Sequence, residues 1–304
     1  MSIPAILCIG AVQWDLIGHT ADPMPAGADL PGRVSRMPGG VAFNIAQALA
    51  REGLTVALLA TVGTDAEGEG LVRAGMALGL DMRFLHRGGA TDLYLALEAE
   101  GALVGAVADA RALEEAGEAV LEPLRDGRLA TEALPFAGTL VIDGNLPEPV
   151  LRGLAASGLL ARADLRLAPA SPAKAPRLAP LLAHPGAVLQ LNRAEAATIC
   201  GADFPTSLAR RPEAALPSAA RGGGPFWGRR PSPSVNPTAP CPPPTLRPPL
   251  LQACPPPFLS PATGAGDAFL PPISRPNIAA PGGRPALAAA LAAAAALVSG
   301  DVIS

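Results

Sequence analysis

Residues 37–62 read MPGGVAFNIAQALAREGLTVALLATV, and two patterns follow one another in them. After the pair Gly39-Gly40, apolar residues recur at helical spacing, so Val41–Arg51 reads as an amphipathic helix that the glycines open. Val56–Val62 is then apolar at nearly every position over the length of one strand. A strand without a polar face is buried on both sides, which is the condition of a parallel sheet covered by helices.

The same alternation extends in both directions. Ala5–Val12 reads as a first buried strand followed by a polar excursion, and Glu67–Leu78 as a helix. Thr139–Asp143 reads as strand, Pro149–Ser157 as helix, Ala187–Leu191 as strand and Glu195–Cys200 as helix. The pattern predicts a doubly wound α/β fold. Residues 16–37 and 92–109 break the rhythm, the second with strand-like alternation around a Glu-Gly turn. They are expected to form a small β lid over one end of the main sheet.

A chain of 304 residues is long enough for one large domain or two smaller ones. A net charge of −3 and a pI near 5.7 give no basis for a nucleic-acid partner, and no basic run suggests an anionic membrane. The four cysteines, Cys8, Cys200, Cys241 and Cys254, are scattered without a C-x-x-C pair, which reads as reduced thiols of a cytoplasmic protein. The apolar run Ile3–Val12 has no basic residue before it and reads as a buried strand rather than a signal peptide.

Four places carry residue types suited to chemistry. Asn44 lies one turn into the helix opened by Gly39 and Gly40, where its amide and a close-approach backbone could hold sugar hydroxyls; a plain Gly-Gly turn with Asn44 on the helix surface reads the same way. Gly264-Ala265-Gly266-Asp267 is a tight turn that points several N–H groups at one spot and delivers a carboxylate to a helix start. Such a carboxylate could take a proton from an alcohol while the amides hold a phosphoryl group; the alternative is a glycine turn with a capping Asp. Asn192 and Glu195, three residues apart, suit a hydrated magnesium ion near phosphates, and equally an N-terminal capping box. Asp15 follows the first strand, where a lone Asp is often a turn residue.

In this order and spacing, PGGVAFNIAQALAREG, LNRAEA and TGAGDAF resemble the ribokinase-like (PfkB) carbohydrate kinases. The resemblance covers residues 1–204 continuously, then 262–270, and loosely the Ala/Leu-rich helix Pro285–Ser299. Within the family the chain looks most like pseudouridine kinases, through CIGAVQWDLIG, PGRVSRMPGGVAFNIA, VIDGNL at 141–146 and PASPAKAPRL. The resemblance implies a single domain, a three-layer α/β/α sandwich with a β lid, and phosphoryl transfer from ATP to a primary hydroxyl of a nucleoside or sugar. It implies Asp267 as the base and Gly264, Ala265 and Gly266 as the anion hole. Asp15, Gly39, Gly40, Asn44 and Lys174 would bind the acceptor, and Asn192 and Glu195 would order Mg2+ and its waters, with no direct protein ligand to the metal. An exposed β lid could also pair with a second copy of the chain, as a homodimer.

The chain departs from the family pattern at several places, among them Gln190-Leu191 before Asn192 and Ala168-Pro169, and two departures weigh most. Pro261 stands two residues before Thr263, where relatives commonly carry Asp, so the monovalent-cation site lacks its usual carboxylate. Between 205 and 285 lie 22 of the chain's 36 prolines, and proline is excluded from helix interiors and central strands, so no strand–helix alternation is expected there outside 262–270. The spacing between Asn192 and Asp267 is kept while the pattern is lost. That combination reads as out-of-frame translation over 205–261 and about 271–284, with a genuine proline-rich insertion as the rival.

Overall fold

The computed structural model describes residues 4–200 and the strand Leu250–Ala253. Gly264, Ala265, Gly266 and Asp267 lie outside the described residues, as does most of the proline-rich segment 205–284.

A six-stranded parallel sheet forms the centre. Its strands are β1 (Ile6–Ile9), β4 (Val56–Leu59), β9 (Thr139–Asp143), β10 (Asp164–Ala168), β11 (Val188–Leu191) and β12 (Leu250–Ala253). Their order is β12-β11-β10-β9-β1-β4, and every pairing is parallel. Side chains alternate between the faces and feed two cores. Leu7, Ile9, Leu140, Ile142, Leu165 and Leu167 enter one, with Leu151 and Leu154 of helix α4 (Glu148–Ala156). Ile6, Cys8, Val56, Leu58 and Val141 enter the other, with Phe43, Ile45 and Leu49 of α1 (Val41–Arg51) and Leu71 of α2 (Ala66–Ala77). Helices therefore cover both faces.

The lid is a second sheet. β2 (Gln13–Thr20) pairs with β3 (Arg33–Gly39) on one side and β7 (Leu93–Ala99) on the other, and β7 pairs with β8 (Ala102–Asp109). Glu100 and Gly101 make the β7–β8 turn with φ of 52° and 77°, the left-handed region that a tight hairpin requires. A third pairing, β5 (Thr61–Val62) with β6 (His86–Arg87), is short.

Several boundaries differ from the sequence reading. The lid strands reach Gln13 and Gly39, so Asp15 lies within β2 rather than in a turn after β1. The run Val56–Val62 is broken at Ala60, because Thr61 and Val62 leave the main sheet to pair with His86 and Arg87. β10 was hidden by its charges: Asp164 and Arg166 pair with each other at 2.8 Å, while Leu165 and Leu167 between them are buried. The proline-rich tract also yields one strand, since Leu250–Ala253 contains no proline and its four residues align with Val188–Leu191. That corrects the expectation of no strand in this stretch outside 262–270.

Two further α-helices belong to the described fold, α3 (Arg111–Ala116) after the lid and α5 (Arg193–Cys200) after β11, together with 3-10 helices at Gly117–Leu124, Gly158–Leu160 and Ala175–Ala183. The base of the lid is pinned by Asp92. Its carboxylate accepts from Ala112 N at 2.8 Å and Leu113 N at 3.1 Å, at the start of α3, and its carbonyl accepts from Trp14 N at 3.2 Å. Burial pushes the Asp92 carboxyl up from 3.8 to about 6, against the pull of those two amides; Asp109 and Glu114 push the same way. A folded-state pKa above the unfolded one means that the folded protein holds this proton more tightly. The stability so gained is complete below pH 3.8 and is lost as pH rises through about 6. The Tm difference between wild type and Asp92→Asn is therefore expected to move against the wild type from pH 4 to pH 7; a pH-independent difference contradicts this.

Candidate active site

In open α/β sheets ligands bind outside the C-terminal ends of the strands, where the strand order reverses. Here that point lies between β1 and β9, because the chain passes from β1 to β4 on one side and builds β9 to β12 on the other. The described acceptor-site residues expected from the sequence gather near these strand ends.

Gly40 is the N-cap of α1, with φ of 94°. A side chain there would meet Ala11 O at 2.4 Å, so only glycine lets the helix start lie against the turn after β1. Phe43 N and Asn44 N donate to Ala11 O and Gly40 O at 3.3 and 2.9 Å. The Asn44 side chain is half-buried and makes no hydrogen bond among the described residues. At Gly39 a methyl group would stand 1.9 Å from Asp15 Oδ2, so the Asp15 carboxylate sits directly over the glycine pair. Burial pushes the Asp15 carboxyl up, and a 3.0 Å hydrogen bond from Gln13 Nε2 opposes this in part.

Sequence reading passed over Tyr94, the chain's single tyrosine. It is paired with Asp15 in the β2–β7 register, so the two side chains share a lid face, and burial followed by the Asp15 charge pushes its phenol up. Asp143 was also passed over. It ends β9 fully buried, and its carboxylate accepts from Ala11 N, Ala42 N and Asn145 N at 2.9, 3.0 and 2.8 Å. No local signal marks it, because two of these partners lie 132 and 101 residues away. Lys174 does come to the site: Nζ donates to Asn145 Oδ1 at 2.8 Å.

Asn192 and Glu195 lie apart from this cluster, at the end of β11. Asn192 N donates to Glu195 Oε2 at 2.9 Å and Glu195 N to Asn192 Oδ1 at 2.9 Å. This is the reciprocal capping box at the start of α5.

The pattern of the pfkB family carbohydrate kinases matches residues 4–220. The chain belongs to this family. Among its relatives is the Escherichia coli (strain K12) protein named Uncharacterized sugar kinase YeiI, 34% identical over 148 residues, which are 47% of this chain and 39% of that protein. A carbohydrate kinase from Agrobacterium tumefaciens is 33% identical and superposes with a TM-score of 0.53, over 64% of this chain and 63% of the other. Ribokinase from Giardia lamblia, at 18% identity and a TM-score of 0.54 over 67% of each chain, shares the fold. The matched part thus spans less than two thirds of the E. coli and Agrobacterium proteins. Among the described residues no helix is long and apolar enough to cross a membrane.

Proposed function

We propose that the chain is an ATP-dependent kinase that phosphorylates a primary hydroxyl of a nucleoside or sugar, with pseudouridine the first acceptor to test. The observation that carries this reading is the placement of the Asp15 carboxylate of lid strand β2 over the Gly39-Gly40 turn, where β3 runs into α1, with the Asn44 amide one turn away. A carboxylate and an amide beside glycine backbone that carries no side chain are complementary to adjacent sugar hydroxyls. The sequence likeness in CIGAVQWDLIG and VIDGNL supports the pseudouridine acceptor; ribose, fructose and other nucleosides fit the same hydroxyl-binding groups.

In this reading Asp15, Gly39, Gly40, Asn44 and Lys174 hold the acceptor, and Asp267 takes the hydroxyl proton while the amides of Gly264, Ala265 and Gly266 face the developing charge. ATP supplies the phosphoryl group and Mg2+ neutralises phosphate charge. Asn192 and Glu195 would order the waters of a hydrated Mg2+, with the capping box at the start of α5 holding both side chains in place. The test is ADP release with Mg-ATP against pseudouridine, uridine, adenosine, ribose and fructose. Turnover with one acceptor supports the reading; a folded chain silent with all of them overturns it.

A second reading is favoured by the proline-rich segment 205–284: a decayed homologue that binds the acceptor without using ATP. Calorimetric binding of an acceptor without ADP release would select it. We also propose a homodimer through the lid. Val34, Leu95, Leu97 and Val107 lie on the lid face opposite Asp15, with Val34 71% and Val107 67% exposed. Leu97→Asp is expected to turn a sedimenting dimer into a monomer; a wild-type monomer excludes it.

A further inference from the structure

Lys174 is the only lysine in a chain whose 23 basic residues are otherwise arginine. Arginine is a planar, permanently charged fork, whereas lysine is a compact point charge whose pKa responds to burial. A single retained amine, half-buried at the proposed acceptor site, therefore directs attention to what holds it.

The answer is a short chain of hydrogen bonds that begins in the core. Asn145 Nδ2 donates to Asp143 Oδ2 at 3.1 Å and its own N–H donates to Asp143 Oδ1 at 2.8 Å. With the NH2 end of the amide fixed on Asp143, the carbonyl end turns outward and accepts from Lys174 Nζ at 2.8 Å. Asp143 Oδ2 also accepts from Ala11 N and Ala42 N, so the same carboxylate anchors the turn after β1 and the second residue of α1. It cannot shift: the site is fully buried, and a carboxylate that accepts four N–H donors has no spare room for rotation.

We infer that Asp143 is a positioning residue, which through the Asn145 amide sets the place of the Lys174 ammonium and at the same time fixes the Gly39-Gly40 turn, so that one buried carboxylate aligns both sides of the acceptor site. The inference rests on the proposed acceptor site, but its geometry does not depend on which hydroxyl compound binds. Electrostatics agree with it. Burial pulls the Lys174 ammonium pKa down, Arg177 adds to this, and Asp143, Glu114 and Asp92 oppose it. These are the charged groups that face the amine from the surrounding elements. Arg177 itself is tied to Asn145 O at 3.3 Å and to Glu114 at 3.5 Å.

A single lysine makes the test direct. The full chain, grown with lysine labelled at Cε and Nζ, is titrated by NMR, and the midpoint of one side-chain signal is read. Asp143→Asn removes an opposing negative charge and frees the Asn145 amide, so the midpoint is expected to fall by about one unit or more. Asn145→Ala is expected to lower it as well, and Asn145→Asp, which places a carboxylate on the amine, to raise it. If Asp143→Asn fails to fold, its signal titrates as free lysine, and the two Asn145 variants decide. Midpoints unchanged in Asn145→Ala and Asn145→Asp overturn the inference.

Turnover supplies the second readout. In Asn145→Ala the acceptor KM is expected to rise about tenfold while the KM for Mg-ATP stays as in wild type. Equal loss against both substrates, or an unchanged acceptor KM in an active enzyme, overturns the positioning role. A wild type that turns over no acceptor defeats the kinase reading instead, and the titration then judges the Asp143–Asn145–Lys174 chain alone.

Discussion

Asp15→Asn is expected to lower kcat/KM for the acceptor by about a hundredfold or more, with no loss of fold stability. A hydrogen bond that involves a charged group is worth about 1.5–3 kcal/mol, and a carboxylate facing two hydroxyls makes two of them. Asparagine keeps the shape but offers one acceptor oxygen, and its NH2 group opposes one hydroxyl unless that hydroxyl turns to accept. Stability moves the other way. Burial raises the Asp15 pKa, so the folded protein is strained by the ionised form above the ordinary carboxylate range, and a neutral amide relieves it. Activity that needs the ionised form should accordingly have an acid limb above 3.8 that is absent from the residual activity of the variant. Steady-state kinetics and thermal unfolding on the same samples check both halves. Loss of stability together with activity would show Asp15 to be a structural residue of the lid.

How much of this was legible in the sequence follows from the range of each interaction. Helix α1, Val41–Arg51, and strand β9, Thr139–Asp143, were predicted with the boundaries found, because apolar period and glycine punctuation are local signals. The lid was legible for the same reason, down to the Glu100-Gly101 turn. Strand β10 was not, because a hydrophobic pattern does not reveal that Asp164 and Arg166 neutralise each other. Asp143 stands in a quoted motif, VIDGNL, yet its role depends on Ala11 and Ala42, which only the fold brings near. The Asn192–Glu195 pair illustrates the opposite limit. Its capping box is spelled out in the sequence and present in the structure, whereas its proposed relation to magnesium comes from family likeness.

Three glycines, substituted by alanine, separate architecture from function, and Gly10→Ala should have the largest effect on folding. Gly10 has φ of 149°, and its new methyl would lie 2.1 Å from Asp143 Cγ. Asp143 has nowhere to go, since moving it would strand Ala11 N, Ala42 N and both Asn145 donors in a buried site. Overpacking together with a broken buried network costs about 3–5 kcal/mol, a fall in Tm on the order of 10 °C. Gly39→Ala also meets a carboxylate, at 1.9 Å, but that of Asp15 is only part-buried and can swing aside. Acceptor affinity should therefore be lost with little change in Tm. Gly105→Ala, with nothing within 4 Å of the new methyl, should change neither. If Gly10→Ala melts with Gly105→Ala, the carboxylate of Asp143 is not the rigid anchor that its four donors describe, and the coupling of the two sides of the acceptor site must be sought elsewhere.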